Sequence, residues 1–331
     1  MNHFTKHIAG LTVAAFATFG LASQAKAVEV QEVVSDGGIR AWLIEDHLNP
    51  LMTMDIAFTG AGAATDADGK LGLSNMVSGL IDEGAGAMDS QTFRGEMENR
   101  SISLSFDVGR DDFAGSLVTL TRERDTATDL LRLALSEPRF DDEAIERIRA
   151  QIVSGLKSAE NDPRDIASRT FFKSIFGDHP YARPVSGNFD TVASLNANDF
   201  RGFVRHAFAK DNLIIGVAGD ITADELGPLL DEAFGSLPDH ADLPAIADVT
   251  PTFGAIDVVK QDIPQSQAIW GQKGIKRTDP DFYAAYVMNY ILGGGGFSSR
   301  LTEEVREKRG LAYGVYSYLA DLDHAEMMMG G

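Results

Sequence analysis

The chain has no cysteine, so it forms no disulfide and offers no thiolate to a metal or a substrate. Histidine is scarce too. There are seven, and none falls between His47 and His179. Basic residues are outnumbered, with 29 Lys and Arg against 49 Asp and Glu and a formal net charge of −20. Such a surface repels nucleic acid and anionic lipid, and it suits neutral or basic peptides or a less acidic protein partner. Past residue 27 no apolar run is long enough to cross a bilayer. A chain of this length buries a sufficient core without covalent staples.

The N-terminus points to export. Residues 1–10 carry Lys6 and no acid, an apolar run follows over 11–22, and Ala25-Lys26-Ala27 is a small-x-small cleavage site. Roughly 12 apolar residues are too few to span a membrane. Residues 1–27 therefore read as a secretory signal, with the mature protein starting at Val28 in the periplasm. Loss of Lys6 and Lys26 makes the remainder more acidic still.

Beyond the signal, alternating β runs are expected at 28–34, 39–45, 52–58, 101–108 and 113–120, and a buried strand at 212–219. Helical patterns cover 123–135, 141–157, 163–175, 197–208 and 222–235, the last opened by the capping box Thr222 and Glu225. Strands in a cluster followed by helices argue α+β. Residues 237–252 hold Pro238, Pro244 and Pro251 without periodicity and read as a linker. A second, related series follows: strands 253–259 and 267–272, helix 281–292, a glycine run, helix 299–309 and strand 311–319. The expected organisation is thus a domain over 28–236, a linker over 237–252 and a domain over 253–331. The second stops in mid-strand and reads as incomplete.

Three stretches carry more than secondary structure. In GLSNMVSGLIDEG (72–84), Leu73, Met76, Val77, Leu80 and Ile81 form the stripe of a half-buried helix. The other side offers only Ser74, Asn75, Ser78, Gly79 and Asp82. GDHPYARPVSG (177–187), taken alone, is an ordinary loop of Gly, Pro and Asp. GGGGFSSRLTEEVREKRGLAYGVYS (293–317) is more specific, and it is no phosphate loop, because Phe297-Ser298-Ser299 stands where Gly-Lys-Ser/Thr is needed.

These stretches, with NLIIGVAGDI (212–221), give the chain a resemblance to the insulinase/pitrilysin family of zinc peptidases, of the bacterial and mitochondrial-processing type. The resemblance runs from about Val28 to the end. It implies two related domains, each a mostly antiparallel sheet packed against helices to form half of a clamshell. Active members carry His-x-x-Glu-His on the helix of 72–84, where two imidazoles one turn apart grip zinc and the Glu activates its water. Here Asn75, Ser78 and Gly79 occupy those places. The third ligand, a Glu, is expected near 153–156, which has no acid; Glu146, the nearest upstream, reads as a solvated helix charge.

The resemblance further implies that Arg306 and Tyr313 hold substrate, beside the plainer reading that Arg306 serves its helix end and Tyr313 packs as strand core. An extended peptide would add to an edge strand, expected at 52–58. The implied protein is a non-catalytic subunit of a heterodimeric zinc endopeptidase. This chain would bind no metal, and a partner with His-x-x-Glu-His would supply the zinc. A structural role, or a peptide-binding, chaperone-like one, is the alternative.

Overall fold

The structure, a computed structural model, describes residues 29–331; the expected secretory segment lies outside the described residues. Turn chemistry and alternation build the first sheet. Gly38, at a φ of 82°, turns β1 (Gln31–Val34) into β2 (Arg40–Glu45), and β3 (Leu51–Phe58) follows. Helix α1 (Leu73–Ser78) and helix α2 (Ser90–Arg100), the latter capped by Asp89, come next. The hairpin β4 (Ser103–Val108) and β5 (Phe113–Leu120) leads into α3 (Arg124–Ser136), α4 (Asp142–Ala159) and α5 (Pro163–Phe176). Two short capping-box helices, α6 (Phe189–Ser194) and α7 (Ala197–Ala207), precede β6 (Leu213–Gly219) and α8 (Ala223–Phe234).

The six strands form one sheet in the order β1-β2-β6-β3-β5-β4, antiparallel except for the β2–β6 pair. One face is buried under helices: Met52, Met54, Ile56 and Phe58 of β3 lie beside Phe113 and Leu117 of β5 and Ile215 and Val217 of β6. The other face leaves Trp42 and Ile214 exposed. This order corrects one expectation. β3 is no edge: it pairs along its whole length with β5 and along most of it with β6. Alternation reports which face is buried but is silent about neighbours, and the free edges belong to β1 and β4.

The second sheet has the order β7-β9-β8, from β7 (Trp270–Lys273), β8 (Ser317–Leu322) and β9 (Ala325–Gly330). Met327 and Met329 of β9 pack with Ile175 and Phe176 of α5 and with Tyr181, so α5 is the surface on which this sheet rests. Residues 239–250 have no regular structure but are tied down: Val249 N donates to His324 O at 2.8 Å, and Asp242 N donates to His206 O at 2.8 Å. The architecture is α+β, with mostly antiparallel sheets packed against helices.

Three local expectations fail in this second series. Residues 253–259 form no strand, and Ile256 and Val258 stand exposed. A period-2 pattern becomes a strand only when another strand satisfies its backbone, and none does so here among the described residues. The expected helix 299–309 is mostly a π-helical turn, Thr302–Glu307, and a second π turn, Tyr290–Gly294, follows α9 (Phe282–Asn289). Strand 311–319 begins only at Ser317, where pairing with Gly330 starts. Tyr313 therefore sits in a loop.

Candidate functional site

Helix α1 is held from all sides. It ends at Ser78, shorter than the helix expected over 72–84, and a turn carries the buried stripe onward: Met76, Val77, Leu80 and Ile81 are at most 1 % exposed, and the helix packs on α4, α7 and β4. Its N-terminus is closed by Asp66, which accepts from Gly72 N at 2.9 Å, Ser74 N at 3.2 Å and Ser74 Oγ at 3.2 Å. Ser74 is thus buried against Asp66, and the free side expected from spacing is narrower than it looked. Burial pushes the Asp66 carboxyl up to about 6, against the pull of the Ser74 and Gly72 backbone hydrogen bonds. The approach of the 177–187 stretch to this end is equally tight. Gly72 and Gly187 have φ of 86° and 72°, and a Cβ on Gly187 would lie 2.2 Å from Leu71 O. Only glycine fits there.

After α1 the chain is pinned by charge. Glu83, with 1 % of its side chain exposed, accepts from Arg147 of α4 at 2.9 and 2.6 Å, and also from Arg94 and Ser90 of α2. Burial alone would raise its carboxyl, but the hydrogen bonds from Arg147 and Ser90 and the two guanidinium charges outweigh it and hold it low. Neighbouring Asp82 shows the opposite balance: burial pushes it up to about 6, and the Glu83 charge adds to that. Sequence pattern alone missed this cluster, because Arg94, Arg147 and Glu83 meet only once α2 and α4 have packed.

The three positions of the expected zinc motif do not fit zinc. Ser78 Oγ donates to Asn75 O at 2.9 Å, so its side chain is spent on its own helix. A Cβ at Gly79 would meet Ile148 Cγ2 at 3.3 Å, which puts an α4 methyl where an imidazole stem would begin. On α4, Ile152, Val153 and Leu156 pack against the core, and Gly155 opens onto free space. Glu146 points to solvent and pairs with Arg149 at 3.2 Å. An amide, a hydroxyl, a hydrogen and apolar neighbours offer zinc no ligand set. Among the described residues no group of three or more His, Asp and Glu side chains could hold a metal.

The 293–317 stretch is ordered by close packing. A Cβ at Gly293 would lie 2.5 Å from Ser317 Oγ, which donates to Asn289 at 2.7 Å. Thr302 Oγ1 donates to Gly296 O at 3.0 Å and fixes the start of the π turn. That turn carries Arg306 against Tyr313. The guanidinium carbon lies 4.9 Å from the Tyr313 ring centre and 4.8 Å from that of Phe297, so the cation is sandwiched between two exposed rings. Arg306 Nε also lies 3.4 Å from Glu307. The plainer packing reading of Tyr313 fails, since the ring is 88 % exposed and Leu311 is 73 % exposed. Phe297 was missed; its only signal is an aromatic residue at the end of a glycine run.

Tyr181, in the 177–187 stretch, is buried at the join of the two sheets. Its hydroxyl donates to Asp111 and accepts from His324 N at 3.0 Å, while Asp323 N donates to Asp111 at 3.2 Å. Burial and the Asp111 hydrogen bond push the phenol far above its ordinary range. His179 Nδ1 accepts from Tyr181 N at 3.2 Å and its Nε2 donates to Ala247 O at 2.9 Å, which sets its tautomer. The stretch read alone as an ordinary loop is a latch between the sheets.

Residues 194–328 match the family described as the peptidase M16 inactive domain. A Helicobacter pylori protein named as a non-peptidase homolog, YmxG, is 28% identical over 299 residues, 88% of this chain and 67% of that protein. An uncharacterized zinc protease of Streptomyces coelicolor is 31% identical over 255 residues, 73% of this chain and 50% of its own length. The chain thus spans between half and two thirds of these curated relatives. Among solved structures, a peptidase M16 inactive domain from Pseudomonas fluorescens aligns with a TM-score of 0.83 at 27% identity, over 92% of this chain and 74% of that one. Pitrilysin shares the fold, with a TM-score of 0.70 at 15% identity over 93% of this chain and 34% of its own. The chain is thus similar to M16 (insulinase/pitrilysin) peptidase proteins along most of its described length, with the inactive-domain match over residues 194–328, and Asn75, Ser78 and Gly79 stand where the zinc motif was expected.

Proposed function

We propose that the chain is the non-catalytic, substrate-holding subunit of a heterodimeric zinc endopeptidase acting on extended peptides, with the zinc site supplied by a partner chain. The observation that carries this reading is Arg306 between Phe297 and Tyr313, at 4.8 and 4.9 Å from the two ring centres. Stacking against two rings restrains the guanidinium, a planar group of N–H donors. Such donors, and the hydroxyl of the exposed Tyr313, suit a peptide carbonyl or the oxyanion formed from it. An arginine that served only its helix end would need no such sandwich. The name of the Helicobacter pylori relative supports a role without cleavage by this chain. The peptide would add as a strand to β4, the free edge beside α1, in place of the edge expected at 52–58.

The test is co-purification with an M16 relative carrying His-x-x-Glu-His, followed by zinc analysis and peptide turnover of the pair. Arg306→Ala and Tyr313→Phe should each lower turnover by about 10²-fold with assembly intact, as removal of an oxyanion donor does. A purely structural Arg306 would instead cost about 0.3–1 kcal/mol of stability and leave turnover alone. Unchanged turnover in both variants would refute the proposal and favour the scaffolding or chaperone-like role.

A further inference from the structure

A cavity of about 420 Å³ lies between the end of α4, the middle of α5 and residues 182–189. Its wall carries three guanidinium groups, Arg110, Arg169 and Arg183, in a chain whose formal net charge is −20. Arg110 leaves the end of β4, lies over the Phe172 ring at 3.8 Å, and donates Nε to Tyr181 O at 3.2 Å. Its two terminal amino groups donate to no acceptor among the described residues, and no carboxylate pairs with it there. Burial pulls its pKa down, the direction for a cation that lacks a full counter-charge. Arg169 donates to Ala159 O at 2.9 Å and likewise has no ion pair among the described residues. Arg183 donates to Asp66 O at 3.2 Å and reaches Asp68 at 2.7 Å, a carboxylate that is 85 % exposed. Glu160 and Asp165 also line the cavity, but both are exposed and neither pairs with these arginines.

The position gives the cavity a meaning. Arg110 follows Val108, the last residue of β4, by two positions, and Leu156 of the expected third-ligand stretch forms part of the wall. We propose that this cavity is an anion subsite that takes a carboxylate carried by an extended peptide lying along β4. Planar guanidinium groups bind carboxylates by paired N–H donors, and a half-enclosed site strengthens that attraction over its value in water. The subsite gives an otherwise acidic protein a preference for peptides with an acidic residue or a free C-terminus at one end of the held strand. It rests on the peptide-holding reading above, but it does not require the catalytic partner.

The two sources of the carboxylate are separated by one set of probes. A short fluorescein-labelled peptide rich in Val and Thr is made with a free or amidated C-terminus, and with Glu or Gln near that end. Binding to the chain alone is followed by fluorescence anisotropy at low salt. At least one carboxylate version should bind about tenfold more tightly than its neutral twin, and which twin pair differs identifies the source. Arg169→Gln, an exposed change that leaves packing intact, should erase much of that advantage, as should Arg110→Met if it folds. Equal affinity of the charged and neutral versions would overturn the subsite while leaving peptide-holding intact. So would a preference that survives Arg169→Gln unchanged. Failure of every version to bind would overturn both readings.

Discussion

Replacing Glu83 by Ala should be among the most damaging single changes in the chain, although Glu83 touches no substrate. Its side chain is 1 % exposed and accepts from Arg147 at 2.9 and 2.6 Å, from Arg94, and from Ser90. The change leaves two guanidinium groups and a hydroxyl facing a void. Removing one partner of a buried pair costs about 3–5 kcal/mol, because the surviving charges lose their counter-ion without regaining full hydration. The arginine side chains are 39% and 48% exposed, so water relieves part of this, and the lower end, about 3 kcal/mol, is expected. For a domain of this size that corresponds to a fall in Tm of roughly 6–12 °C. Urea unfolding with an unchanged slope measures it directly. Glu83→Gln, which keeps shape and one acceptor, should lose less. The sign of the pH dependence is a second check. A carboxyl held below its ordinary value stabilises the fold fully above its unfolded value, and that contribution disappears as pH falls through the lower, folded value. The gap between wild type and Glu83→Ala should therefore be widest at neutral pH and shrink below about pH 4. A loss under 1 kcal/mol, or a gap that grows in acid, would refute this account of how α1 is anchored.

Asp66 predicts the opposite pH slope. Its folded value of about 6 lies above its unfolded one, so its contribution is greatest in acid and declines as pH rises toward 6. Asp66→Asn should flatten the stability curve between about pH 4 and 6, which urea midpoints across that range would show. Metal analysis of the purified chain should find no stoichiometric zinc. Asn75→His, Ser78→Glu and Gly79→His together should not restore it unless Gly155→Glu supplies a third ligand and Ile148→Ala clears the methyl 3.3 Å from position 79. Tight zinc binding by the triple variant alone, read by calorimetry, would contradict the geometry described for α4. N-terminal sequencing of protein from the producing cell should begin at Val28, and an intact Met1 would refute export.

What could be read from residue order was whatever depends on neighbours within a few positions. The stripe Leu73, Met76, Val77, Leu80 and Ile81 marked a segment packed into the core, and Met76, Val77, Leu80 and Ile81 are buried in the fold, although the helix itself stops at Ser78 and Leu80 and Ile81 lie in the turn after it. The residue types at 75, 78 and 79 ruled out a zinc ligand set without any coordinates, because no arrangement turns an amide, a hydroxyl and a hydrogen into two imidazoles and a carboxylate. Strand order was different. The 52–58 run and the 101–108 run alternate alike, yet the strand formed by the first is central and that formed by the second, β4, is an edge. That choice depends on where β6, more than 150 residues on, inserts between β2 and β3. The ring sandwich at Arg306, the Tyr181–Asp111 latch, the Glu83 cluster and the three-arginine cavity share this property. Each joins groups whose attraction is short-ranged and has no periodic trace in sequence, so only the packed chain brings them together.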